Sequence, residues 1–402
     1  MIRFLLVLSI TGGLAAQPGG LLEQADEAFR QGDLERAGAL ASRAIEADPA
    51  AVHGHMILGV IAAQKSQWRV SDSHFETVVK LDPASPHGYF YLGQSKLYQK
   101  QWDAAIRFFT SALERQYPET GRLLVELALA QNEAGRPREA LGTLAKTQPP
   151  PDPRLAAQYY GVTGFAQGNL NQLDQALEAI QHALQLDDAA PDYWTFLIDL
   201  LIRTEQNPRA LAEAIRAQRK FPDQQEIQFL FALASYHVTE SPLSRLALRN
   251  LQEADPADPR VLLAEGLAQR KEGNAAEATA AFRKAAARGV PDAHLLLGIL
   301  LREAGDDAEA EREYREAERI NPNNGQALME MAKALTNKGD LEGALTRLKR
   351  AVELMPSTPA VHYQLGGLYR RMGRNDEAEQ HLNLFRKLQA DRARQTRPAA
   401  KL

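Results

Sequence analysis

Small apolar residues return along this chain at a nearly fixed interval, with polar, glycine-containing links between them. The clearest series is Ala37, Ser71, Ala105, Ala140, Ala176, Ala210, Ala247, Ala278, Ala310, Ala344 and Ala378, in steps of 31 to 37 residues. Seven residues further on stands a second series: Ala44, Ala112, Ala183, Ala217, Ala254, Ala285, Ala317 and Ala351, interrupted by Val78, Thr147 and Phe385. Seven residues are close to two helical turns, so both members fall on one helix face. A third small position lies twelve residues before the first: Ala25, Gly59, Gly93, Ala128, Gly164, Gly266, Gly298, Ala332 and Gly366, with Ile198 and Ser235 as larger departures. Leu or Met often precedes it, as at Leu58, Leu92, Leu297 and Met331.

Each interval predicts two short helices, neither able to bury its apolar stripe alone. The small residue on the first helix and the alanine on the second are expected to let the two backbones approach closely. Gly32-Asp33, Gly135-Arg136, Gly273-Asn274, Gly305-Asp306, Gly339-Asp340 and Gly373-Arg374 predict the turn inside a pair, since glycine suits a left-handed helix C-terminus. Prolines such as Pro49, Pro83, Pro222, Pro322 and Pro356 close one unit and set the entry to the next. Three irregularities are expected. Thr147 to Pro153, with four prolines, reads as a loop, Asn169 to Asp174 as a lengthened turn, and residues 226–259 as an insecure unit.

This spacing resembles the tetratricopeptide repeat family. The matches are clearest at His294-Leu297-Gly298-Leu301-Ala310-Tyr314-Ala317-Pro322 and at Tyr89-Leu92-Gly93-Ala105-Phe109-Ala112. Trp194-Leu197-Leu201-Ala210-Ala217-Pro222 is a third, with Ile198 in the small position. The resemblance covers roughly residues 18–391. It implies an all-α solenoid of about eleven tandem helix-turn-helix repeats, wound as a right-handed superhelix whose first helices line a concave groove. Phe385, in place of a packing alanine, suits a terminal cap.

Composition narrows the picture further. A hydrophobic share of 45% and a charged share of 24% fit a folded chain. The net charge of −4 gives no electrostatic reason to expect nucleic acid as a partner. There is no cysteine, which rules out disulfides, thiolate catalysis and Cys-ligated metals. Arg3, the apolar run Phe4 to Ile10 and the small residues around Ala15 and Ala16 read as a cleavable signal over residues 1–16. The repeat array then occupies 17–391 and a basic tail 392–402. A periplasmic or secreted location follows, with a cytoplasmic one if the segment is retained. That run is too short to span a membrane.

No GxSxG, HExxH, GxxxxGK[ST] or GxGxxG motif occurs, and the carboxylates read as solvated charge, so no enzyme, cofactor or metal site is expected. His53 and His87 occupy equivalent places one unit apart, about 10 Å by one helix diameter, too far to share a metal. In the groove that the resemblance implies, units two to five offer Met56, Phe90, Gln94, Tyr98 and Phe165, of which the aromatic and Met side chains suit an extended or helical segment, although ordinary helix packing explains the same residues. In units eight to eleven Arg270, Arg302 and Arg370 share one repeat position and form a ladder suited to an acidic segment, unless Asp292 and Glu303 neutralise it. The reading is a non-enzymatic envelope scaffold that binds protein segments. The alternative is an accessory protein of envelope polysaccharide binding or export, with Tyr89, Phe90, Tyr91 and Tyr98 as its platform.

Overall fold

The computed structural model describes residues 20–238, 242–255, 257–290 and 292–395. The expected signal over residues 1–16 and the end of the expected tail, 396–402, lie outside them. Among the described residues there are twenty-two helices and no strand, arranged as eleven consecutive pairs. The chain divides into two compact units, one ending at Phe196 and the other beginning at Leu197.

Unit 1 pairs α1 (Leu21–Arg30) with α2 (Leu34–Ala47), α3 (Val52–Gln64) with α4 (Trp68–Leu81), and α5 (Pro86–Tyr98) with α6 (Trp102–Glu114). It continues with α7 (Thr120–Glu133) on α8 (Pro137–Leu144), α9 (Pro153–Asn169) on α10 (Leu173–Leu186), and the start of α11 (Pro191–Arg203). Unit 2 takes the rest of α11, then α12 (Asn207–Lys220), α13 (Gln225–Val238), α14 (Pro242–Ala254), α15 (Pro259–Lys271) and α16 (Ala275–Ala287). It closes with α17 (Ala293–Glu303), α18 (Asp307–Ile320), α19 (Gly325–Lys338), α20 (Leu341–Leu354), α21 (Pro359–Arg371) and α22 (Asn375–Gln395). The last helix therefore runs past residue 391, where the array was expected to end.

The turns inside the pairs follow from local chemistry. Gly32, Gly305 and Gly339 adopt positive φ, and the next residue donates its N–H back into the preceding helix: Asp33 to Ala28, Asp306 to Leu301, Asp340 to Leu335, at 2.9 to 3.0 Å. That aspartate then caps the second helix, accepting from Arg36, Glu309 and Gly343 N–H respectively. Where glycine is missing, Ser66, Lys100, Asn171 and Glu205 take the same left-handed conformation. The stretch around Asn171 is thus an ordinary three-residue turn, not the lengthened one expected. What is longer there is α9, at 17 residues. The proline-rich stretch does interrupt the pattern, because α8 stops at Leu144 after 8 residues and α9 begins only at Pro153.

The alanine series is the seam of the molecule. Every described member of the first series is at most 1% exposed, and Ala112, Ala183, Ala217, Ala285, Ala317 and Ala351 of the second at most 2%. The third series meets the expected close backbone, with the partner helix's carbonyl 3.2 Å from an added Cβ at Gly164, Gly298 and Gly366, and does one thing more. At Gly59, Gly93, Gly266 and Gly298 an added Cβ would sit 2.5 to 2.6 Å from the ring of Phe75, Phe109, Phe282 and Tyr314. The small residue therefore makes room for an aromatic ring sixteen residues later, as well as for a close backbone.

Ser71 is the one polar member of the first series, fully buried with no hydrogen-bond partner for its Oγ. A buried unpaired hydroxyl carries its desolvation cost with nothing in return. Ser71→Ala should therefore stabilise unit 1 by about 1 kcal/mol, read as a higher urea midpoint at unchanged slope. A lower midpoint would show that the hydroxyl finds a partner in solution.

Candidate functional site

The first helices of unit 1 carry the residues that the sequence singled out, and burial sorts them into two kinds. Met56, Phe90 and Phe165 are 3%, 0% and 7% exposed and their side chains are committed to packing. Phe90 stacks on Tyr117 at 4.2 Å between centroids, with the Arg122 guanidinium 5.2 Å over its ring. Phe165 meets Phe196 edge-on at 4.8 Å. The cause is the repeat itself, since this register packs against the following first helix and its link.

Gln94 and Tyr98, four residues apart on one face of α5, form the polar part. Gln94 donates Nε2–H to Glu126 Oε1 at 3.1 Å, while its own Oε1 is buried and has no partner among the described residues. Tyr98 is half-buried and lies flat on Trp68, with centroids 5.7 Å apart and planes 6° from parallel. Burial raises the Glu126 carboxyl above the usual carboxylate range, against the opposing pull of Arg122 and the Gln94 bond. Burial likewise raises the phenols of Tyr98 and Tyr117, and the Tyr117 hydroxyl is a second buried polar atom without a partner. The cluster is a largely buried set of aromatic rings, an amide, a carboxyl and the Arg122 guanidinium, in which the Gln94 amide oxygen has no partner. Glu126 and Tyr117 escaped the sequence reading because each is one ordinary residue in a variable link or helix; only the fold brings Glu126 to Gln94 and Tyr117 onto Phe90.

In unit 2 the three arginines do not act as a free ladder. Arg270 pairs with Glu303 at 2.8 Å. Arg302 lies 3.6 Å from Glu330 and reaches the Tyr314 hydroxyl at 3.4 Å. Arg370 is exposed and has no ion-pair partner among the described residues. The ladder also skips a rung, because Thr336 holds the intervening place. Glu303 was foreseen as a neutralising partner; Glu330, 6% exposed and also held by Lys333, was not.

The histidines are arranged otherwise than the spacing of His53 and His87 suggested. His53 bonds Asp26, with Nε2 2.7 Å from Oδ2, and His87 stands edge-on to Tyr117 at 5.4 Å. His55 instead meets His74, with the Nδ1 atoms 3.0 Å apart. His362 and His381 repeat that contact in unit 2 at 3.1 Å, and His294 and Glu313 fill the same two places at 2.7 Å. This place on the first helix also bonds the carbonyl six residues back. His55 bonds Pro49 O, Tyr89 bonds Pro83 O, Trp194 bonds Asp188 O and His362 bonds Pro356 O, at 2.8 to 3.4 Å.

No described helix is long and apolar enough to cross a membrane. Among curated proteins no sequence relative is found. Among solved structures, the chain is similar to a chain of the APC/C hetero-tetramer Cut9–Hcn1, at 13% identity over 92% of this chain and 86% of that one, with a TM-score of 0.51. It also resembles yeast Tom70 (12% identity, 93% and 95% coverage, TM-score 0.48) and MamA (17% identity, 38% and 90% coverage, TM-score 0.33). At these identities the likeness concerns the fold. Models of the tetratricopeptide repeat match residues 22–86, 90–154 and 263–325, and again 359–390, while a TPR repeat model matches 332–373. These matches take in more than half of the chain and coincide with the helix pairs and their alanine seam: it belongs to the tetratricopeptide repeat family, whose members are protein-interaction scaffolds.

Proposed function

We propose that the chain is a non-enzymatic scaffold of the cell envelope that holds extended segments of partner proteins against the first helices of unit 1. The observation that supports this most is the Gln94 amide. Its N–H is fixed by Glu126, and its oxygen is buried and unpartnered beside the Tyr98–Trp68 stack. Buried polar atoms are ordinarily paired. Turned outward about its own side-chain torsions, the amide would offer this oxygen to an incoming backbone N–H, as the aromatic stack covers the neighbouring side chain. The envelope location rests on Arg3 and the apolar run Phe4 to Ile10.

Crosslinking mass spectrometry on the mature chain in native envelope extract tests the reading, with Gln94→Ala/Tyr98→Ala compared against wild type. A partner crosslinked near α5 and α7, and reduced about tenfold or more in the variant as expected for a loss of 1.4 kcal/mol or more, is the expected result. Equal capture by both would remove the site. Capture competed by soluble glycan would favour the polysaccharide reading instead.

A further inference from the structure

We infer that the segment held by unit 1 carries a basic side chain, arginine above all, whose cation binds Glu126 beside the Tyr98–Trp68 stack. The inference rests on the segment-binding reading above and names the chemistry that this site selects.

The first support is a carboxylate without a cation. Glu126 is half-buried. Its Oε1 accepts from Gln94, while its Oε2 stays open to solvent and accepts no hydrogen bond among the described residues. The cations on the neighbouring first helices are engaged elsewhere. Arg122, one turn back on α7, pairs with Glu119 at 3.5 Å and lies over the Phe90 ring. Lys96 of α5 is held by Asp72 at 2.6 Å. Desolvation that no direct partner relieves is what keeps the Glu126 carboxyl above its usual range, Arg122 opposing it only through its field.

The second support is the same register in unit 2. Glu330 stands two residues before the small position Ala332, as Glu126 does before Ala128. There the chain supplies the cations itself, Lys333 at 2.6 Å and Arg302 at 3.6 Å. Counted from the small positions, Arg302 corresponds to Leu97 and Lys333 to Leu129, and both leucines are buried. Unit 1 therefore keeps the carboxylate and lacks both of its cations. An occupant of the groove has to bring one.

The third support is the surface beside the carboxylate. Tyr98 is half-buried with Trp68 stacked on it, and Glu126 is close enough to add to the rise that burial gives its phenol. A guanidinium stacks flat on an aromatic ring and donates through a planar fork, which an ammonium cannot do. Arginine therefore fits this place better than lysine. When Gln94 turns its amide to the segment's backbone, Glu126 loses its one donor among the described residues, and the arriving guanidinium replaces it. An acidic segment would set like charges together at the same place.

Panning a phage-displayed library of short random peptides against the full chain tests the inference. The enriched peptides should share one arginine position, with lysine as the second choice. Replacing that arginine by alanine in a synthetic peptide should weaken binding to the wild-type chain about tenfold or more. On Glu126→Gln the same replacement should cost less than about twofold, because the partner is already gone. Glu126→Lys, panned in the same way, should enrich aspartate or glutamate at that position, an exchange that a merely structural role for Glu126 would not produce. Circular dichroism checks that both variants are folded, and the peptide-side replacement needs no change in the protein. An equal loss on wild type and Glu126→Gln would place the cation elsewhere and overturn the inference. Peptides that lose binding in Gln94→Ala/Tyr98→Ala but share no basic residue would also overturn it, while leaving the segment-binding reading in place. A library that enriches nothing would overturn both.

Discussion

Phe109→Ala is expected to cost unit 1 about 3–5 kcal/mol, the range for emptying a fully buried aromatic site. The ring is 0% exposed. It fills the space above Gly93, lies 5.9 Å from the Phe90 ring, and belongs to the cluster that joins Ala105, Ala112 and Leu123. That cluster reaches from α5 and α6 into α7, so the ring serves both its own pair and the junction to the next. In a linear array stability is a sum of repeat and nearest-neighbour terms; removing the ring weakens one of each. Urea unfolding should show a lower midpoint. Hydrogen exchange should place the loss in α5 to α7 and leave α17 and α18 protected. A loss below about 1 kcal/mol would mean that the neighbours close over the cavity and that the ring is not the wedge the geometry makes it.

How much of this was legible beforehand depends on how local each constraint is. The alanine seam could be read because a close helix pair limits a side chain to one carbon at a fixed register, and Ala37 to Ala378 obey that limit with only Ser71 departing. The turns at Gly32, Gly305 and Gly339 could be read because left-handed backbone favours glycine. The equivalent turns at Ser66, Lys100, Asn171 and Glu205 could not, since nothing in those residue types announces a positive φ. That is why the turn at Asn171 was misjudged.

The sites were less legible than the scaffold. A groove position and a core position lie one residue apart on the same helix, and Met56, Phe90 and Phe165 turn inward. Gln94 and Tyr98 could be named, but not Glu126, which holds the Gln94 amide from 32 residues away. The histidine pairs failed for the same reason. His55 and His74 lie 19 residues apart and meet only because of how α3 crosses α4, whereas one-dimensional spacing favoured His53 and His87. Among the arginines, Glu330 pairs with Arg302 from the next repeat, again a contact set by packing and not by neighbours in the chain.

The third series yields a test whose sign, and not only its size, decides. Glycine inside a helix normally costs about 0.5–1 kcal/mol relative to alanine. Gly367→Ala in α21 should follow that rule and stabilise unit 2 by that amount, because Gly367 is exposed and its Cβ would meet nothing within 4 Å. Gly266→Ala in α15 should do the opposite and cost about 1–3 kcal/mol, as overpacking does. Its Cβ would stand 2.5 Å from Cδ1 and Cε1 of Phe282, a fully buried ring in the core of the unit. Shrinking the ring should relieve the clash, so Gly266→Ala/Phe282→Leu is expected to be more stable than the sum of the two single changes predicts, by about 0.5–3 kcal/mol. Denaturant midpoints of the four proteins close the cycle. If Gly266→Ala were stabilising like Gly367→Ala, the glycine would not be making room for the ring. Additive losses would place its role in the backbone approach of α15 to α16, the part first read from the sequence.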